Sequence, residues 1–340
     1  MTKQVLIIGG TRNMGYFLVN RLLQAGFDVT TLNRGISTDT LPEQVHRLHA
    51  DRSDPRQMKR ALLAREFDIV VDFVMLNGDD ASMIVDMLAG KVGRYIYISS
   101  GQVYLVRENL ERPFKESDYE GRLMPAPKMN TFAWEEWNYG IGKRAAEDIF
   151  ARAYAEKDFP YTSLRLPMVM SERDGFNRLN NYLLRLEDGG PILLPETPNF
   201  PLKHIDAMDV VEVIMKLISS GKGIGQAYNI SQDDAVPLEE FLHILSDLLN
   251  VPLNIAYFKR SELEANGFLP DCSPFSERWM SELDNSLSKS ELGMTYTPVT
   301  TYLARIVDFY RHNRPSKPIS YRRRSSEIQM VALREQSGKN

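Results

Sequence analysis

An α/β fold, a Rossmann-type doubly wound parallel sheet with a smaller C-terminal lobe, is predicted by three observations. Short apolar runs alternate with amphipathic segments through residues 1 to 100, the first run ends in clustered glycines, and each run is followed by polar or small residues. The loop ends then gather on one edge of the sheet, where such folds bind ligands.

The first run, Val5 to Ile8, leads into Gly9-Gly10-Thr11-Arg12-Asn13-Met14-Gly15. It reads as a buried strand, a tight turn and a helix start whose exposed N–H groups offer a phosphate site, so Gly9 to Gly15 is the candidate dinucleotide cradle. Further strands are expected at Asp28 to Leu32, Val45 to Leu48, Ile69 to Phe73, Tyr95 to Ile98 and Tyr161 to Leu166. Glu108 to Met129 is rich in charge and proline and reads as a long surface loop, a candidate lid. Helical patterns follow at Asn138 to Glu156, interrupted weakly by Gly140 and Gly142, and at Asn177 to Glu187, Met208 to Ser219, Leu238 to Leu249 and Thr301 to His312. The expected organisation is a nucleotide-binding domain over 1–167, a substrate lobe over 168–312 interleaved with the last sheet strands, and a basic tail over 313–340 outside the core.

Composition narrows the function classes. The chain has 340 residues, 43% hydrophobic and 25% charged, enough for one large α/β unit or two domains. A net charge of −4 argues against a general polyanion binder, although Arg322, Arg323 and Arg324 make the tail locally basic. A single cysteine, Cys272, excludes an intrachain disulfide, and the five histidines show no HExxH spacing. His46 and His49 read as structural, so no metal is expected. The chain enters a strand without a basic-then-apolar leader, and no apolar run reaches the roughly 18 residues of a membrane span. The expectation is a cytoplasmic protein with no membrane partner.

Asn33-Arg34-Gly35 follows the second strand, where an acidic residue would bind the two ribose hydroxyls of NAD. The acid is absent and an arginine follows, which suits the extra phosphate of NADP; Arg12 can join it. NADP(H) is therefore favoured, with NAD(H) as the alternative. After the third strand, Asp51-Arg52 completes the candidate cofactor residues, with Asp51 as acceptor for the adenine amino group; Asp54 before Pro55 reads as a helix cap.

Two stretches carry candidate chemistry. Tyr95 to Tyr104 ends a strand with Ser99 and Ser100 at the ligand edge, and Tyr139-Gly-Ile-Gly-Lys143 puts a phenol and an ammonium one helical turn apart. Tyrosine, with an ordinary pKa of about 10, is a poor base at neutral pH; a neighbouring ammonium favours the phenolate. Lys143 can also reach the cofactor ribose. A serine hydroxyl opposite would hold the substrate oxygen while hydride moves to or from its carbon.

These residues in this order make the chain resemble the extended short-chain dehydrogenase/reductases, the NAD-dependent epimerase/dehydratase group, over roughly residues 3 to 312. The other landmarks are Leu164-Arg-Leu-Pro167, His204-Ile-Asp-Ala-Met-Asp209 and Tyr228-Asn-Ile230, with Glu147 after Lys143. The resemblance places the catalytic serine on Ser100, three residues before Val103, and the catalytic pair on Tyr139 and Lys143. Arg12 stands where the family usually has glycine, and the 39-residue gap from Ser100 to Tyr139 is long and contains Trp134-Glu-Glu-Trp137. Trp137 is a candidate wall of the substrate pocket, and Arg173, Asn177, Lys203 and Arg278 are candidates for a phosphate- or hydroxyl-bearing substrate; Asn181 lies on the same expected helix face as Asn177.

The resemblance implies hydride transfer at a secondary alcohol or ketone, with a nucleotide sugar as the leading substrate class. One alternative is an NADPH-dependent ketoreductase of a non-sugar intermediate, motivated by Trp137 and by Lys203 standing out of register with the family's diphosphate-binding arginine. Another is a non-catalytic nucleotide sensor or RNA-binding protein. The resemblance also implies a homodimer built on the tyrosine helix, with Ile149, Phe150, Ala153 and Tyr154 as its apolar stripe.

Overall fold

The computed structural model describes residues 2–36, 39–196, 199–269, 273–276 and 279–337. The chain divides into two compact units. One comprises Met1–Val169, His204–Ser231 and Leu283–Tyr296; the other comprises Met170–Lys203, Gln232–Glu282 and Thr297–Asn340.

The first unit runs β1 (Gln4–Ile8), α1 (Asn13–Gln24), β2 (Asp28–Asn33), β3 (His46–His49), α2 (Pro55–Leu62), β4 (Phe67–Asp72), α3 (Gly78–Leu88), β5 (Val92–Ser100), the short α4 (Gln102–Leu105), α5 (Phe132–Lys157) and β6 (Tyr161–Leu166). A further strand, Gln226–Asn229, pairs with β6 and completes a seven-stranded sheet. The sheet order is Gln226–Asn229, β6, β5, β4, β1, β2, β3, with every pair parallel. The strand order reverses at β1, the topological switch point at which open α/β sheets bind ligands.

β1 reads as an unbroken apolar run because both its faces are covered. Val5 and Ile7 pack with Leu18 and Leu22 of α1 and with Val210 and Ile214, whereas Leu6 and Ile8 pack with Met58, Ile84 and Phe150 on the other side. Local signals set the helix starts. Asp54 accepts from the N–H groups of Arg56 at 2.9 Å and Gln57 at 3.2 Å, with Pro55 in the first turn of α2. Thr131 accepts from Trp134 N–H at 3.2 Å, so α5 begins at Phe132, ahead of the expected Asn138, and takes Trp134 and Trp137 into its first turns.

Gly140 and Gly142 are a packing requirement of α5. A Cβ at Gly140 would lie 2.8 Å from the Gln102 carbonyl oxygen, and one at Gly142 would overlap the carbonyl of Leu76. Their absent side chains let α5 rest directly on the turns that follow β5 and β4. The inner face of α5 is part of the unit's own core: Phe150 is 0% and Ala153 5% exposed, and the Phe150 ring packs on Tyr95, Tyr97 and Phe159. The expected apolar stripe is therefore corrected at these two positions, which the sheet has already covered, while Tyr154 remains 40% exposed.

The segment read as a lid is anchored. Phe114 is buried beside Tyr104 and Leu283, Arg107 and Leu123 form an antiparallel bridge, and Arg144 donates to the Tyr119 carbonyl at 2.8 Å with its guanidinium 3.8 Å from the Tyr119 ring centre. Cation–π contact and charge-assisted hydrogen bonds fix what its polar composition left looking loose.

The second unit contains helices Arg178–Glu187, Leu238–Leu249, Arg260–Ala265, Val299–His312 and Arg324–Ser337, and a parallel strand pair, Ile192–Pro195 with Ile255–Phe258. Residues beyond 313, read from sequence as a tail outside the core, carry buried charges here. Glu327 is 0% exposed and receives Arg185 Nη2 at 2.5 Å and Nε at 2.9 Å, and Arg324 donates to Glu327 at 2.9 Å and to both oxygens of Asp188 at 2.7 Å. Arg323 donates to the carbonyls of Asn266 and Gly267 at the end of helix Arg260–Ala265. Of the arginine run only Arg322 is exposed, so the basic patch suggested by the sequence is taken up within this unit.

Candidate active site

The C-terminal strand ends of the first unit bring together the Gly9–Gly15 turn, Asn33–Arg34, Asp51–Arg52, the turn after β4, Ser100 and the first half of α5. A Cβ on Gly15 would lie 2.7 Å from Gly10 Cα, so α1 packs against the turn itself, and a helix N-terminus at such a turn directs its first N–H groups toward the strand ends where phosphates bind. Arg12 caps α1 in an extended conformation (φ −134°) open to any side chain and is exposed; Asn13 takes the left-handed conformation (φ +45°). Thr11 and Met14 are half-buried beside them. Arg34 is exposed and Asn33 half-buried, its side-chain oxygen accepting from Gly35 N–H at 2.7 Å. Asp51 accepts from the hydroxyl of Ser53 at 2.7 Å and its N–H at 2.9 Å, which together with the Arg34 charge hold its carboxyl below the ordinary range.

Ser100 closes β5, half-buried, and accepts from Gln102 N–H at 3.2 Å. Its neighbour Ser99 is buried and donates to Glu147 at 2.5 Å, so Ser100 is the hydroxyl left at the strand end. Tyr139 is 38% exposed; Lys143, one turn on, is 3% exposed. Lys143 Nζ donates to the carbonyls of Met75 at 2.6 Å and Ile98 at 2.8 Å, and lies 4.9 Å from the Tyr97 ring centre and 5.6 Å from that of Tyr139. Burial pulls its pKa down to about 7, opposed by the carboxylates of Asp72 and Glu147.

Two buried ion pairs flank this lysine. Glu147, four residues after Lys143, accepts from Arg165 Nη2 at 2.6 Å and Nε at 3.1 Å, and Arg165 also donates to the Tyr104 hydroxyl at 2.7 Å. Asp72, fully buried at the end of β4, pairs with Arg52 and accepts from Tyr95 Oη at 2.7 Å and Val74 N–H at 3.0 Å. Burial opposes charge on Arg52, and Asp72 more than offsets it. Arg52, read from sequence with the cofactor residues, is engaged inside the protein. Asp72 and Met75 were missed by sequence reasoning, although an acid ending an apolar strand is a usable signal for Asp72; for Met75 the sequence holds no signal.

Trp137 donates its indole N–H to the Met124 carbonyl at 3.2 Å and so ties α5 to the anchored loop. Arg173, Asn177 and Lys203 belong to the second unit, all half-buried, with Asn177 (φ +51°) preceding helix Arg178–Glu187. Asn181 is corrected as a hydroxyl binder: it is 4% exposed and its side-chain oxygen accepts from Arg185 and Ser320. Arg278 lies outside the described residues. Among the described residues no group of three or more His, Cys, Asp or Glu could hold a metal ion, and no helix is long and apolar enough to cross a membrane.

A parallel sheet reversing at a glycine turn, with a Ser/Tyr/Lys set at the same edge, defines a Rossmann-type enzyme of the extended short-chain dehydrogenase/reductase class. The description of the NAD dependent epimerase/dehydratase family matches residues 5–231, and the chain belongs to that family of NAD-dependent enzymes. It is 25% identical over 294 residues to a 2′-dehydrokanamycin reductase of Streptomyces kanamyceticus, covering 84% of this chain and 78% of that one. It is 28% identical over 255 residues to the chloroplast stem-loop binding protein of 41 kDa b of Arabidopsis thaliana, covering 70% of this chain and 61% of that one. Its fold is similar to a dTDP-glucose 4,6-dehydratase from Streptomyces venezuelae solved with NAD bound, with a TM-score of 0.70, 18% identity, and 92% and 98% of the two chains covered.

Proposed function

We propose that the protein is an NADPH-dependent reductase of a ketone on a sugar, with Tyr139 as general acid. The observation that carries this reading is the Ser100, Tyr139 and Lys143 set at the end of β5 and on the face of α5 beside it. A nicotinamide dinucleotide fits the glycine turn, where Gly15 lets the start of α1 pack directly on Gly10 and a helix N-terminus at a strand end suits a phosphate. Bound there, it supplies hydride to the carbonyl carbon. Ser100 donates a hydrogen bond to the carbonyl oxygen, Tyr139 delivers its proton to that oxygen, and the Lys143 ammonium stabilises the phenolate left behind. Oxidation of an alcohol runs the same steps backwards.

The similarity to a reductase acting on 2′-dehydrokanamycin favours a sugar ketone and net reduction. A nucleotide-sugar epimerase is the second reading, favoured by the family match. NADPH mixed with 2′-dehydrokanamycin and with UDP- and dTDP-4-keto sugars separates them. Stoichiometric loss of NADPH with alcohol formed is expected, and isomer conversion without net loss would overturn the reductase.

The NADP preference rests on Arg12 and Arg34, two exposed guanidinium groups with no acid at the end of β2. Arg12→Ala combined with Arg34→Asp is expected to reverse the ratio of NADPH to NADH kcat/KM by about 100-fold, two lost charge-assisted contacts of about 1.5 kcal/mol each. An unchanged ratio would remove this assignment and leave the fold of the site untouched.

A further inference from the structure

We propose that Arg52 is a positioning residue for Lys143, acting through the turn Asp72–Met75, and not a ligand of the nucleotide; the inference rests on the Tyr139/Lys143 reading above. Arg52 grips this turn at two points: one guanidinium nitrogen on the Asp72 carboxylate, the other 3.4 Å from the Met75 sulfur. Met75 is fully buried, and its carbonyl receives the Lys143 ammonium at 2.6 Å. One residue is thus held by its side chain from Arg52 and by its backbone from Lys143. Asp72 adds a third restraint by accepting from Val74 N–H at 3.0 Å, inside the same turn.

The planar fork of arginine is what permits the double grip; a lysine head is a single point charge on a flexible stem. Without the grip, the Met75 carbonyl is free to turn away, and Lys143 keeps only the Ile98 carbonyl at 2.8 Å. A buried ammonium that loses an acceptor is less stable in its charged form. The groups facing Lys143 are Asp72 on β4, Glu147 and Tyr139 on α5, Tyr97 on β5 and Arg52 after β3, so the turn carrying Asp72 supplies one of two opposing carboxylates.

The test reads Lys143 without turnover, so its outcome is separable from that of the Tyr139 reading, which Tyr139→Phe decides. The full chain is labelled at lysine Cε, and the Lys143 NMR signal is identified by its absence in Lys143→Met. Arg52→Lys is expected to lower the Lys143 titration midpoint by about half a pH unit or more. It should lower kcat by about tenfold with little change in KM or in the Kd for NADPH. Met75→Leu keeps the packing and removes the sulfur acceptor, and should move the midpoint in the same direction. A midpoint lowered by either variant and raised by neither supports the proposal, and a raised midpoint overturns it. Titrations unchanged in both overturn it, and an NADPH Kd weakened by Arg52→Lys with the titration in place would make Arg52 a nucleotide ligand.

Discussion

Tyr139→Phe is expected to lower kcat for carbonyl reduction by about 10³-fold, the range for loss of a positioned general acid. The Kd for NADPH should change by less than about threefold, because uniform binding and proton transfer are separate contributions. The size of the effect follows from the lysine. Its charge lies 5.6 Å from the Tyr139 ring centre, and at an effective dielectric of about 20 two unit charges at that range attract by about 3 kcal/mol. That attraction exists only with the phenolate, so the enzyme stabilises the state in which the proton has left. Phenylalanine removes the proton and the anion together. Lys143→Met should give a loss of similar order, since it deletes the cation while filling the same space. The wild-type rate should also fall as pH rises through about 7, where the buried Lys143 loses its charge. A Tyr139→Phe enzyme within tenfold of wild type would show that another group delivers the proton, and would end the reading of this site.

The legible parts of this chain are those where one physical constraint dominates. Val5 to Ile8 of β1 and helix Leu238–Leu249 fall on their expected residues because strand positions covered on both faces are apolar in an unbroken run and an amphipathic helix must repeat its apolar face. The glycine turn was readable because Gly15 approaches Gly10 too closely for any side chain. Gly140 and Gly142 obey the same rule, yet read as weak points of a helix, because the backbone they approach belongs to Gln102 and Leu76, far away in sequence. Arg52 reads from sequence as a cofactor residue because its partner Asp72 is placed by the β1–β4 pairing, which no local pattern encodes. Phe150 and Ala153 were apolar for the sheet beneath them, a face that periodicity alone does not distinguish from an interface.

The arginine run shows the same limit with the largest consequence for stability. Glu327→Ala is expected to destabilise the protein by about 3–5 kcal/mol, the cost of removing one partner from a buried ion pair. Arg185, 0% exposed, would keep its charge with Nε and Nη2 both deprived of an acceptor, and Arg324 would keep only Asp188 and the Pro191 carbonyl. Charge is the decisive quantity, because removing both partners is a different experiment from removing one. Arg185→Met with Glu327→Leu exchanges the pair for apolar groups of similar volume and should recover most of the loss, leaving Arg324 on Asp188. Urea unfolding of the two variants measures the difference directly. If Glu327→Ala costs less than about 1 kcal/mol, as an exposed ion pair would, then helix Arg324–Ser337 is not held by this network.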